Sequence, residues 1–269
     1  MAEAPATAER PVVDAAERPW IEVVVPTLDS EALLTRLVAS LQAQSWPHWR
    51  LHFIDGPSGA THRRVLEQLC AADSRLRWSP QAPEAQGIFG AMNQGAAAAP
   101  ANAWLLFWGS DDWAASRTVL AQLAERLGPC QRRPAPPDLV VCRGRYENGR
   151  LSAFQWRYSY RRSLFLGSTP PHQATLVGPG ARRRLPRYAE GFRLSADLDH
   201  FLQLSFFPDL QVERLDLELV GMGSGGVSAV QTQRRLQEVR RAYRRAFGRL
   251  WPVPFVLRYG QRLWSRFRG

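Results

Sequence analysis

Lysine is absent from this chain, and all thirty-five basic residues among its 269 are arginine. That excludes Schiff-base chemistry on a lysine amine and a phosphate-binding loop of the lysine type. Cysteine is scarce as well. Cys70, Cys130 and Cys142 are an odd number without metal-type spacing, which argues against a disulfide framework and for a reducing compartment. No run of eighteen apolar residues occurs, so no membrane-spanning helix is expected. Residues 1–19 are rich in Ala, Pro and Glu and lack an apolar centre, which reads as a disordered lead-in and not a signal peptide. A cytoplasmic protein is the expectation.

Acids are scarce at one end only. The net charge is +11, yet residues 231–269 hold eleven arginines against the single acid Glu238, a balance of +10 that leaves +1 for residues 1–230. Any nucleic-acid binding would therefore reside in the tail alone, and its aromatic stripe suits lipid better than a phosphate backbone, so no nucleic acid is expected as partner. With 45% apolar residues the remainder can bury the core of one large α/β domain.

What is present is a βαβ rhythm. Ile21 to Pro26 is a β-branched run ended by proline, followed by Leu33, Leu34, Leu37 and Leu41 at helical spacing. Arg50 to Ile54 is a second strand, closed by the turn Asp55-Gly56-Pro57-Ser58-Gly59, with a helix over Arg63 to Ala72. A short strand at Leu76 to Ser79, a helix over Ala91 to Ala99 and a strand at Ala103 to Phe107 continue the pattern, predicting a mostly parallel sheet. The sequence then predicts a helix from Ser116 to Leu127, a Pro-rich linker over Arg132 to Pro137, a strand at Asp138 to Cys142 and a hairpin turning at Glu147-Asn148-Gly149. Residues 150–194 read as a loop-heavy region, Ser195 to Phe206 as a helix and Leu210 to Leu215 as a strand. In the tail, Leu236, Val239, Tyr243, Phe247 and Leu250, then Phe255, Tyr259, Leu263 and Phe267, recur at helical steps beside arginines, an amphipathic pattern broken by Pro252 and Pro254. Such a pattern suits either an anionic membrane surface or a helix packed on the domain with solvated arginines.

Asp111-Asp112 directly follows the apolar run Ala103 to Trp108. Two carboxylates at the carboxyl end of a buried strand are costly unless they hold a cation or polar ligand, and open α/β sheets bind ligands at that end. The alternative is that Ser110 and both acids cap the next helix. Asp55 stands in a glycine turn, where it could cap the turn before Thr61. Asp197 and Asp199 begin a helix behind Ser195, a plausible N-cap, where acids suit the helix dipole.

Pro26-Thr27, Asp55-Gly56, the segment Gly87-Ile88-Phe89-Gly90-Ala91-Met92-Asn93-Gln94-Gly95, Ser110-Asp111-Asp112, His172-Gln173, Ser195-Ala196-Asp197-Leu198-Asp199 and Gly225-Gly226-Val227-Ser228 occur in this order. With them the chain resembles family 2 glycosyltransferases of the GT-A fold, particularly the bacterial polysaccharide branch of colanic-acid type. The resemblance implies a Rossmann-like sheet flanked by helices over residues 20–230, with a nucleotide-binding part at 20–130, an acceptor-binding part at 131–230 and a basic helical tail at 231–269. It implies an inverting, metal-dependent hexosyl transfer from a nucleoside-diphosphate sugar, UDP-sugar foremost, to a glycan or lipid-linked acceptor in polysaccharide biosynthesis. Pro26, Thr27, Asp55, Gly87, Asn93 and Asp111 would contact the nucleotide, Asp112 a divalent metal (Mn2+ or Mg2+), and His172 and Gln173 the phosphate or acceptor. Asp197 would be the catalytic base with Asp199 as second candidate, and the tail would attach the enzyme peripherally to the inner, anionic membrane face. The arginine clusters Arg157, Arg161, Arg162 and Arg182, Arg183, Arg184, Arg187 could bind a lipid diphosphate or be solvated. Ala85, Gly90, Gln94 and Gly109 depart from the branch's usual acid, acid, lysine and Asn/Asp. A nucleotidyltransferase of sugar-nucleotide synthesis would share the sheet and metal logic but carry an N-terminal Gly-rich basic loop, where this chain has Pro26-Thr27-Leu28-Asp29. A non-enzymatic basic membrane- or nucleic-acid-binding protein is the remaining alternative, together with an inactive relative that binds nucleotide.

Overall fold

A computed structural model describes residues 19–131, 136–223 and 232–267, with residues 129–131 and 261–267 as backbone only. The lead-in at 1–18, the linker core at 132–135 and the Gly225–Ser228 motif lie outside the described residues. The first half runs β1 (Ile21–Thr27), α1 (Glu31–Gln42), β2 (Trp49–Asp55), α2 (Ala60–Ala72), β3 (Leu76–Pro80), α3 (Gly87–Ala98) and β4 (Trp104–Phe107). The second comprises β5 (Trp113–Ala114), α4 (Val119–Gln131), β6 (Leu139–Tyr146), β7 (Leu151–Ser152), α5 (Tyr160–Phe165), β8 (Thr175–Val177), α6 (Pro179–Arg184), α7 (Ala196–Leu204), β9 (Val212–Met222), α8 (Thr232–Phe247) and α9 (Pro252–Phe267).

The strands form one sheet in the order β3-β2-β1-β4-β8-β6-β9-β5, with β7 paired to β6. Pairing is parallel throughout β3-β2-β1-β4. Beyond β4 it is mixed, with β4–β8, β6–β8 and β5–β9 antiparallel and β6–β9 parallel. The chain winds outward from β1 through β2 to β3, then returns to place β4 on the other side of β1. That reversal leaves a crevice at the carboxyl ends of β1 and β4, the place where such sheets accept ligands.

Apolar side chains cover both faces. One core joins α1, α2 and α4 to the sheet around the fully buried Trp49, Trp104 and Trp108. The other joins α3, α5 to α8 and the opposite face. Several boundaries differ from the sequence reading. Helix α3 begins at Gly87 instead of Ala91, because its glycines serve packing: a Cβ at Gly95 would collide with Val24 of β1. Helix α4 begins at Val119, and β5 intervenes between it and Asp111-Asp112, so the two acids do not cap it. Strand β9 extends to Met222, its Leu215, Leu217 and Leu219 alternating toward the core.

The tail folds as two helices. The break falls at Gly248 (φ +53), and Pro252 opens α9 at a first-turn position where no amide is needed. Val239, Ala242 and Tyr243 of α8 are buried against α7 and the second core. Burying each large apolar side chain stabilises by about 2 kcal/mol, against about 1 kcal/mol for each arginine near an anionic surface, so the stripe of α8 belongs to the domain.

Candidate active site

The β1–β2 register sets Thr27 beside Asp55 at the strand ends. Asp55 is 1% exposed, and its Oδ1 accepts hydrogen bonds from Thr27 Oγ1 (3.0 Å) and Ser58 Oγ (2.6 Å), with His62 Nε2 at 3.2 Å. Ser58 in turn accepts the Asp29 amide. Oδ1 therefore serves the turn, as one sequence alternative held. Oδ2 accepts no hydrogen bond among the described residues, and its neighbour Arg63 Nε stands 3.7 Å away. A buried carboxylate oxygen left without a donor costs about 1–3 kcal/mol, so Oδ2 is ready for a ligand N–H.

The end of β4 is tied to that of β1 by Ser110, whose hydroxyl donates to Pro26 O (3.4 Å) and accepts from Ser30 Oγ (2.9 Å). Asp112 is 2% exposed, and Gly109 N–H donates to its Oδ2 at 2.6 Å. Burial pushes its pKa up to about 8, the Gly109 bond opposing and the Asp111 charge adding to the rise. A carboxyl with one donor and an acidic neighbour is poor at ionising alone and well suited to a cation. Asp111 is partly exposed; its carbonyl accepts from Gly223 N–H (3.1 Å) at the end of β9. Its carboxylate is wedged between two glycines, because a Cβ at Gly109 would come 2.7 Å from Oδ1 and one at Gly223 would collide with Oδ2. Gly109 is thus what lets Asp111 adopt this orientation. Among the described residues no three His, Cys, Asp or Glu converge as a cation cage. One or two carboxylates completed by substrate phosphate and water is the usual way a hard cation is held beside a nucleotide, so the residues fit.

The other three departures from the family pattern are mutually compatible. Gln94 accepts the Ala82 amide (2.8 Å) and donates to Pro80 O (2.9 Å), while Gln81 donates to Gly87 O (2.8 Å) and to Ala85 O. A side chain at Gly90 would strike the Ala85 carbonyl. Together they pin loop 81–86 onto α3, and Gly87 turns with φ +72.

On the acceptor side, Asn93 does not point into free space. Its Nδ2 donates to Tyr188 O (3.0 Å) and its Oδ1 accepts the Tyr188 amide (2.8 Å), a two-point clamp on loop 185–190. Tyr188 Oη bonds His172 Nε2 at 2.8 Å, and His172 stacks on Phe107 with ring centroids 5.6 Å apart. Desolvation among these rings lowers the His172 pKa, with Asp197 opposing, which favours the neutral imidazole. Gln173 is held through its carbonyl, which accepts from Trp108 Nε1 (2.9 Å). Hydrogen bonds thus join Ser110 to Pro26, Trp108 to Gln173 and His172 to Tyr188.

The two candidate bases part company. Asp197 is partly exposed, and no hydrogen bond or ion pair ties its carboxylate among the described residues. Asp199 is 1% exposed and paired with Arg245 Nη1 of α8 at 2.7 Å; burial raises its pKa against the pull of that guanidinium. Asp199 therefore docks α8 through one oxygen, a tie that Asp197 does not have. Arg182 donates to four carbonyls around 96–103, and Arg184 pairs with Asp138 and Asp209, so neither is available to a lipid diphosphate. Sequence reasoning missed Tyr188, Gly223 and Glu238. Only Glu238 carried a signal, as the single acid in an arginine-rich helix.

A model of the family described as glycosyl transferase family 2 matches residues 22–178. PGL/p-HBAD biosynthesis glycosyltransferases of Mycobacterium bovis and Mycobacterium tuberculosis are 27% identical over 216 residues, 78% of this chain and 79% of theirs. S. aureus TarS 1–349 in complex with UDP-GlcNAc matches with TM-score 0.61 at 17% identity, over 85% of this chain and 67% of that one, whereas the chain spans only 39% of a longer TarS structure. Mannosyltransferase PcManGT from Pyrobaculum calidifontis, in complex with GDP-Man and Mn2+, matches with TM-score 0.63 at 13% identity, over 90% and 70%. A sheet that reverses beside β1, two acids at the end of β4 and a match across more than half its length place this chain in glycosyltransferase family 2.

Proposed function

We propose that this glycosyltransferase is an inverting, metal-dependent enzyme that moves a sugar from a nucleoside-diphosphate donor, a UDP-sugar foremost, to a hydroxyl of a glycan or lipid-linked acceptor in polysaccharide biosynthesis. The observation that carries the reading is Asp112, a buried carboxylate at the switch crevice with a single donor and a pKa raised to about 8. With Asp111 it would hold a divalent cation, Mn2+ or Mg2+, which when bound neutralises charge on the departing diphosphate. Asp55 Oδ2 accepts an N–H from the base, while Thr27 and Ser58 keep its other oxygen fixed. Asp197 takes the proton of the attacking hydroxyl. As it does so, a bond forms from that oxygen to the anomeric carbon, the bond to the diphosphate oxygen breaks on the opposite face, and the nucleoside diphosphate leaves with the electron pair. The neighbours solved with UDP-GlcNAc and with GDP-Man and Mn2+ support a nucleotide-sugar donor.

Calorimetric titration of UDP and GDP, each with and without Mn2+, tests the donor half. UDP is expected to bind in the micromolar range, about −8 kcal/mol, only when metal is present. A folded protein that binds neither nucleotide under any condition would remove the donor site.

The acceptor reading extends to an anionic membrane surface. Among the described residues no helix is long and apolar enough to cross a membrane. Trp251, Phe255 and Tyr259, two of them expected on the lipid-facing stripe, instead pack against the second core. What α9 and the turn before it expose is Leu250 (64%), Val253 (48%) and Val256 (65%), beside the exposed Arg249. This ridge is the candidate lipid contact. Wild-type protein should float with vesicles containing phosphatidylglycerol and not with pure phosphatidylcholine, and Val253→Glu/Val256→Glu should lose about tenfold in partitioning, since two apolar anchors become acids. Equal flotation of the double variant would place lipid binding elsewhere or nowhere.

A further inference from the structure

Glu238, the one acid of the tail, is 6% exposed and faces backbone instead of solvent. Its Oε1 accepts the Arg193 amide (3.0 Å), and its Oε2 accepts the amides of Leu194 (2.8 Å) and Ser195 (3.0 Å). Three consecutive N–H groups converging on one carboxylate form an anion nest, here filled from within the same chain. Arg234, one turn earlier on α8, sets Nε 3.3 Å from Oε1. Ser195 itself makes no side-chain cap for α7, so the segment entering that helix depends on Glu238.

Other tail residues grip the same half of the crevice. Arg241 Nη1 donates to Gly191 O (3.0 Å), where Gly191 turns with φ +77, and Arg245 pairs with Asp199. Arg258 of α9 donates to Gly167 O (3.4 Å) and to Thr169 Oγ1 in the segment that leads to His172. The carboxylate of Asp197, two residues beyond the nest, is held by none of these contacts directly. Its position is inherited from the backbone that Glu238 fixes.

We infer that Glu238 is a positioning residue for transfer, anchoring the segment 193–195 so that Asp197 stands at the attacking hydroxyl. The inference rests on the reading of Asp197 as the base. Charge-assisted hydrogen bonds to a carboxylate are the strong class, and amides aimed at one point repel one another once that charge is gone. Displacing a reacting group by about 1 Å can cost about a hundredfold in rate, so loss of the nest acts on turnover rather than on donor binding.

The test uses the full chain with Mn2+ and follows nucleotide release from UDP-glucose, UDP-GlcNAc and GDP-mannose with water as acceptor. Nucleotide binding by calorimetry and amide hydrogen exchange accompany it. Glu238→Gln is expected to lower kcat by about tenfold to a hundredfold, keep nucleotide affinity within about threefold, and speed exchange at 193–197 while leaving β1 and β2 protected. Unchanged kcat in folded Glu238→Gln, with Asp197→Asn inactive, overturns the inference and spares the base. Full activity of Asp197→Asn overturns the base reading and takes the inference with it. If Glu238→Gln does not fold, Glu238→Asp, which keeps the charge but shortens the reach, decides by the same split: a lower kcat at unchanged affinity supports the positioning role, and an unchanged kcat overturns it.

Discussion

Asp112→Asn is expected to reduce metal-dependent nucleotide affinity by at least about a hundredfold and turnover with it, while the protein stays folded. The substitution keeps shape and hydrogen-bonding capacity next to Gly109 N–H but removes the charge a hard cation needs. Folding should not suffer, because the carboxyl is buried with a pKa near 8 and is already largely neutral at pH 7 without metal. The sign follows from that value. A carboxyl whose folded pKa lies above its unfolded value of 3.8 favours the folded state below the unfolded pKa, and that contribution is lost as pH rises through about 8. Metal-free wild-type protein should therefore melt at progressively lower temperature from about pH 4 to about pH 8, and Asp112→Asn should flatten this dependence. A cation must displace the proton, so nucleotide affinity in the presence of Mn2+ should rise with pH and level off above about 8. Thermal melts and calorimetry over the same pH series check both directions together. Metal-dependent binding of wild-type strength in Asp112→Asn would remove the metal from this residue.

The parallel half of the fold was legible because strands β1 to β4 are short runs rich in apolar residues and closed by proline, glycine or acid, and α1 repeats its leucines at helical spacing. The second half was less so. Strand β9 alternates Glu and Leu and shows its period only once its length is known, and β8 is three residues whose partners lie far along the chain. The tail shows most clearly what periodicity cannot decide. An amphipathic stripe states that one face is apolar, and both α8 and α9 have one, but not what covers it; here α7 and the second core do. Asp55, Asp111, Asp112 and Asp197 were proposed from strand ends and a helix start, which are local features. Asn93 and Asp199 engage Tyr188 and Arg245 in contacts across 95 and 46 residues that no local pattern encodes. The departures at Ala85, Gly90 and Gln94 looked like losses one at a time, whereas in space they complement one another around loop 81–86.

Asp197→Asn should lower kcat by about a hundredfold to ten-thousandfold with nucleotide affinity unchanged, the range expected when a general base is removed from a displacement. The comparison that gives the result its meaning is Asp199→Asn, two residues further along α7 and chemically identical. The Asp199 carboxylate is buried and held 2.7 Å from Arg245, so its loss leaves a half-exposed guanidinium without its partner and loosens α8 from α7. That variant should lose about 1–3 kcal/mol of stability, read as a lower melting temperature, and retain kcat within about fivefold at a temperature where it is folded. Asp197, whose carboxylate no described neighbour engages, should show the reverse, near-native melting with turnover almost gone. A proton acceptor must meet substrate, and the Asp199 carboxylate is buried with one oxygen held by a guanidinium, whereas Asp197 is partly exposed. If Asp199→Asn proved the slower enzyme and Asp197→Asn the less stable protein, the two roles would have to be exchanged, and the nest at Glu238 would then support the wrong acid.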